Sequence, residues 1–213
     1  GALWPVAGGA RTGQGHGLVL VRLPPAAVNR WLRRGLVAVT VAPFGAWTGI
    51  TLAEERARSV APYDGGLELL AARPAPRRAR PALGFFDVHG RAAITVQPPG
   101  LRSHIHWLVW EPGAGLVPTP SLTPLRLPLL LSVAGASGRV REEVVAEVLR
   151  SGTGAPVDLL VTVLGLLGLP GRDLLVRGDS DGAHDVEPSV RGVMTFDRLM
   201  AEEAAHQAEV SGR

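Results

Sequence analysis

The run ALGFFDVHGRAAITVQPP, residues 82–99, contains two apolar segments that flank the dipeptide His89-Gly90. Glycine adopts positive φ at little cost, so a tight turn and a β-hairpin are expected here. The next run, SHIHWLVWEPGAGLV (residues 103–117), predicts a third strand beside this hairpin. The centre of the chain is therefore predicted to be an antiparallel β-meander.

The segment before the meander predicts a β-α-β unit. GLVLVRLPP (residues 17–25) and LVAVTVAPF (residues 36–44) are strand-like. Between them, AAVNRWLRRG places Val28, Trp31 and Leu32 on one face of a helix that Gly35 ends. Further on, Thr51 and Glu54 have the spacing of a capping box, which predicts a helix extending to about residue 60.

The segment after the meander is predicted to be mostly helical. A proline-rich stretch beginning at Pro118 predicts a stiff connection, and two apolar-patterned helices follow within residues 137–152 and 155–171. An acidic loop covers residues 178–191. The predicted fold class is α+β: an N-terminal β-α-β unit plus an antiparallel β-meander, followed by a mostly helical C-terminal region.

These patterns suggest three parts of the chain. Residues 1–16 are predicted to be a flexible arm, residues 17–117 an α+β region and residues 118–213 a helical region. The two larger parts could also form one continuous domain, 17–213. The 213 residues are enough for a sizeable core, and no secretory signal or membrane span is predicted.

Composition and charge favour a soluble cytoplasmic protein. The chain has no cysteine, and all 22 of its basic residues are arginine, a bias typical of a high-GC bacterial genome. Residues 1–110 carry 13 Arg and 5 acidic residues, whereas residues 111–213 carry 9 Arg and 14 acidic residues. Halves of opposite charge can bind nucleic acid, dock on each other, or dock on a second copy.

The histidine-rich strand is the first candidate for chemistry. His104 and His106 are two residues apart, so a strand would place both on one face, and Asp87 and His89 could add ligands from the hairpin. Spacing alone brings together only two ligands, and no HExxH motif is present. We therefore predict no metal and no cofactor, and interpret the histidines as ordinary strand residues.

The second candidate is a pair of oppositely charged patches. RPAPRRARP (residues 73–81) is predicted to be exposed and extended, and the acidic loop is its complement. The predicted interaction residues are Arg73, Arg77, Arg78, Arg80, Asp179, Asp181, Asp185 and Glu187.

These observations support a non-catalytic cytoplasmic adaptor or regulatory protein that acts through protein–protein contacts, including self-association into a homo-oligomer, and without a membrane. One alternative is nucleic-acid binding by the arginine-rich N-terminal half. The other is an enzyme or metal-binding protein that uses the His104/His106 face.

Overall fold

A computed structural model describes residues 15–53, 65–190 and 194. Within these residues the chain forms an eight-stranded sheet with the order β7-β6-β5-β4-β1-β3-β2-β8, and every adjacent pair is antiparallel. The strands are β1 His16–Val21, β2 Val39–Phe44, β3 Trp47–Leu52, β4 Ala82–Val88, β5 Arg91–Gln97, β6 His106–Glu111, β7 Gly115–Val117 and β8 His184–Val186.

Helices cover both faces of this sheet. In the described residues they are α1 Pro25–Leu32, α2 Gly66–Ala72, α3 Leu127–Val133, α4 Glu142–Arg150, α5 Pro156–Leu166 and α6 Arg172–Arg177, with a 3₁₀ turn at Arg77–Ala79. Helices α1 and α2 pack on one face, and α3 to α6 pack on the other. The predicted mixture of helices and an antiparallel sheet is confirmed. None of the helices in the described part of the chain has the length and hydrophobicity needed to cross a membrane.

The central hairpin lies where the sequence predicts it. Strands β4 and β5 are joined by His89 and Gly90, whose φ angles of 53° and 73° are both positive, as a tight hairpin turn requires. The predicted third strand is two strands, because the chain reverses again after Glu111 and β7 pairs with β6. The meander therefore ends in a second, shorter hairpin.

The elements of the predicted β-α-β unit form in order as β1, α1 and β2. Strands β1 and β2 run in the same direction but are not neighbours, because β3 lies between them and pairs with both. Thr51, predicted to cap a helix, lies in β3, and its hydroxyl donates to the Gly17 carbonyl at 2.6 Å. The rest of that predicted helix, from residue 54 onward, lies outside the described residues.

The regions before and after residue 118 share a hydrophobic core. One cluster joins Leu18 and Phe85 of the sheet to Leu149 of α4 and Leu160 of α5. On the opposite face, a second cluster joins the sheet to α1 and α2. The four C-terminal helices are therefore packed against the sheet.

Several predicted boundaries differ from the structure. His16 belongs to β1 and not to the predicted arm, whose residues 1–14 lie outside the described residues, as do residues 195–213. The predicted stiff connection contains α3, with Pro128 in its first turn. Part of the predicted acidic loop is an edge strand, because β8 pairs with β2.

Candidate protein-interaction surface

The four candidate metal ligands have separate surroundings. His106 lies in β6 with its Nδ1 3.3 Å from the Pro124 carbonyl, whereas His104 precedes the strand and is exposed. Asp87 faces His16, and His89 contacts Glu68. Nowhere in residues 15–53 and 65–190 do three acidic or histidine side chains form a group that could hold a metal ion.

A half-buried histidine–carboxylate pair was not predicted from the sequence. His16 and Asp87 are register partners on β1 and β4, and their Nδ1 and Oδ2 atoms are 3.7 Å apart. His16 Nδ1 is buried and makes no hydrogen bond. Burial raises the pKa of the Asp87 carboxyl above its ordinary value, although the neighbouring His16 imidazole acts in the opposite direction. Only strand pairing, which joins residues 71 positions apart, reveals this pair.

We expect Asp87→Asn to change how stability depends on pH. Because its pKa is raised in the folded state, Asp87 holds its proton more strongly in the fold than in the unfolded chain, so wild-type stability falls as pH rises through that pKa. The asparagine variant should lack this fall and be slightly more stable at neutral pH, by less than about 1 kcal/mol because solvent reaches the carboxylate. Urea denaturation at a series of pH values from about 3.5 to about 7 measures the effect. Parallel stability curves for the two proteins would contradict it.

The predicted cationic patch divides into two groups. Arg73 is half-buried, donates from Nη2 to the Trp31 carbonyl at 2.7 Å, and lies 4.8 Å from the centroid of the Trp31 ring. Burial lowers the pKa of its guanidinium. Arg80 donates to the carbonyls of Ala75 and Gly100, at 2.9 and 2.8 Å. Both arginines are only partly exposed, and each uses part of its hydrogen-bonding capacity within the fold.

Arg77 and Arg78 are exposed on the 3₁₀ turn that leads into β4. The loop between β5 and β6, residues 98–105, lies beside this turn because Arg80 is bonded to Gly100. Other hydrogen bonds fix the loop internally: Gln97 Nε2 donates to the Ser103 carbonyl at 3.2 Å, and the Ser103 hydroxyl donates to the Pro98 carbonyl. Three side-chain hydrogen bonds therefore constrain the loop.

The tip of this loop carries a strongly exposed leucine. Leu101 is 77% exposed, the largest value among the large hydrophobic side chains of the described residues, and its neighbour Arg102 is exposed as well. We call the group Arg77, Arg78, Leu101 and Arg102 the arginine corner. The sequence signal that could have found Leu101 is the Pro-Pro-Gly stretch before it, which places an apolar residue in a turn.

The predicted acidic residues also lie in different surroundings. Asp179 and Asp181 are exposed and border a surface depression of about 490 Å³. We call this the acidic depression; its lining residues are Asp173, Arg177, Asp179, Ser180 and Asp181. Asp185 instead lies on β8, where it accepts a hydrogen bond from the Thr40 hydroxyl at 2.7 Å, and Glu187 is exposed just beyond that strand.

A cavity beneath α1 and α2 is too small for an organic ligand. It has about 20 Å³ of free space, room for about one water molecule, and its lining includes Trp31, Arg73, Thr95 and Gln97. The exposed surfaces therefore offer more scope for binding than this cavity does.

Comparison with known proteins does not identify a relative. The chain matches no protein-family model, and neither a curated protein nor a solved structure matches it significantly. Among the described residues, the arginine corner and its surroundings are therefore the features that bear most on function.

Proposed function

We propose that this protein is a non-catalytic cytoplasmic adaptor or regulatory subunit, and that its arginine corner binds an acidic surface of a protein partner. The observation that carries the proposal is Leu101, an exposed leucine on a loop that side-chain hydrogen bonds constrain. A side chain on an ordered segment loses little conformational entropy when it docks, and arginine, the residue type that accompanies this leucine, is enriched among binding hot spots.

The energetics of the corner favour a protein partner. Burying one leucine contributes about 1.5–3 kcal/mol, which is too little for an interface by itself. Three exposed arginines, Arg77, Arg78 and Arg102, lie on the same two adjoining segments as this leucine, and arginine forms bidentate hydrogen bonds with carboxylates. A partner that combines an apolar site with acidic residues would use both properties of the corner.

Nucleic acid is the main competitor for this corner, because exposed arginines also bind phosphate. Binding of single strands usually adds stacking on exposed aromatic rings. Trp47, Trp107 and Trp110 are buried, and the half-buried Trp31 ring is in contact with Arg73. The described tryptophans therefore do not favour base stacking.

The test compares an acidic peptide with DNA. We expect a labelled glutamate-rich peptide with one central tryptophan to bind the wild-type protein at about 50 mM salt and to dissociate at about 500 mM, as screening requires. The R77E/R78E variant reverses the charge of two arginines of the corner. It should bind the peptide roughly tenfold more weakly or worse, because two attractive charges become repulsive. The wild-type protein should bind this peptide more tightly than a matched peptide without tryptophan. Leu101→Ser should remove that difference in affinity. Fluorescence anisotropy measures each affinity.

The matched control is R126E/R141E, which makes the same charge change at two other exposed arginines. It should bind the peptide nearly as well as wild type does. Equal peptide binding by R77E/R78E and wild type would refute the proposal. Tighter binding of duplex DNA than of the peptide, lost in R77E/R78E, would assign the corner to nucleic acid instead.

A further inference from the structure

We infer that the partner of the arginine corner is the acidic depression of a second copy of this chain, in a head-to-tail arrangement. This inference rests on the proposed function, since it names the occupant of the same corner. Three features of the structure support it: the positions of the two surfaces, their shapes and their charges.

The two surfaces lie too far apart to meet within one chain. The arginine corner is formed by the segments that lead into β4 and out of β5, whereas the acidic depression lies between α6 and β8. In the sheet, β8 is four strand positions from β4, which corresponds to about 19 Å between their axes. Charge complementarity between the corner and the depression can therefore be satisfied only between two molecules.

The arginine corner includes the tip of a loop, and the acidic surface includes a depression. Leu101 and Arg102 occupy the tip of a loop, and the depression has a volume of about 490 Å³. Val176 does not line the depression, but it is the neighbour of Arg177 on α6 and is 42% exposed.

The charges at the depression are available for a second molecule. Asp173 pairs with Arg177 at 3.1 Å, which leaves Asp179 and Asp181 as the exposed carboxylates of the depression without a basic partner among the described residues. Asp179 accepts one hydrogen bond from the backbone of Ser180 and retains further acceptor capacity. Arginines from the corner of another copy would neutralise both carboxylates.

The arrangement has a distinctive symmetry. Corner and depression are different surfaces, so their contact is heterologous, and a pair of copies still has one free corner and one free depression. Association therefore continues into chains or closes into rings, and does not stop at a two-fold dimer.

The test uses two neutralising variants in the full chain. R77Q/R78Q disables the corner, and D179N/D181N disables the depression, while R126Q/R141Q is the control. Sedimentation velocity at micromolar protein concentration and about 50 mM salt should show oligomers for wild type and the control, and monomers for each disabled variant alone. An equimolar mixture of the two disabled variants should form dimers and nothing larger, because one intact corner and one intact depression make a single contact.

Several outcomes would overturn the inference: a monomeric wild type at low salt, oligomers that persist in either disabled variant, or a mixture that stays monomeric. These failures are distinct from failure of the proposed function. If wild type is monomeric but R77E/R78E loses the acidic peptide, the corner binds a different acidic protein and only the inference falls. If R77E/R78E retains the peptide, the proposed function falls.

Discussion

Trp110→Ala is expected to lower the free energy of unfolding by about 3–5 kcal/mol, as for other large buried aromatic residues. Trp110 lies on β6, has no exposed surface, and packs in the cluster that joins the sheet to the C-terminal helices. Its indole Nε1 donates to the Leu149 carbonyl of α4 at 3.0 Å. Truncation therefore opens a cavity and also leaves a buried carbonyl without its donor.

Two further measurements make this prediction specific. Trp110→Phe keeps most of the ring volume but loses the N–H donor, so it should cost only about 1–2 kcal/mol. Urea denaturation followed by far-ultraviolet circular dichroism measures both variants without relying on the fluorescence of the altered residue. A loss below about 1 kcal/mol in Trp110→Ala would contradict the packing of α4 on the sheet.

The hairpin between β4 and β5 could be predicted from sequence because the signal is local. His89 and Gly90 adopt positive φ, and the apolar runs beside them pair residue by residue from Val88 with Arg91 to Ala82 with Gln97. Everything needed for that prediction lies within residues 82–99.

Strand β3 could not be predicted because its determinants are distant in the chain. Thr51 and Glu54 have capping-box spacing, which locally favours a helix. In the fold, β3 pairs on one side with β1 and on the other with β2, so Thr51 contributes to a sheet and its hydroxyl bonds to Gly17. Strand pairing and burial outweigh a cap worth about 1 kcal/mol.

The arginine corner could be predicted only in part. Composition predicts the same exposure for all four arginines of residues 73–80. In the fold, α1 places the Trp31 ring against the Arg73 guanidinium, so Arg73 is partly covered. Leu101 and Arg102 join Arg77 and Arg78 because their segments flank the paired strands β4 and β5. The charge of the corner was therefore visible in the sequence, whereas its apolar tip depends on tertiary structure.

Gly84→Val is expected to destabilise the protein by about 3 kcal/mol, at the upper end of the usual range for overpacking a core. Gly84 lies in the middle of β4 and pairs with Thr95 of β5. A Cβ atom at this position would lie 2.3 Å from Thr95 Oγ1 and 2.5 Å from Cε2 of Phe86. Both neighbours are buried, so neither can move aside without disturbing the packing around it.

A second glycine provides the matched control for this steric argument. Gly165 lies in α5, and a Cβ atom added there would have no neighbouring atom within 4 Å, so Gly165→Ala should stabilise the protein by about 0.5–1 kcal/mol through helix propensity alone.

Gly84→Val combined with Phe86→Leu should lose less stability than the sum of the two single changes, because removing the ring relieves part of the clash. Urea denaturation of the four variants measures this coupling. Strict additivity would mean that the Phe86 ring does not occupy the space beside Gly84, and the packing of β4 against α2 would then have to differ from the arrangement described above.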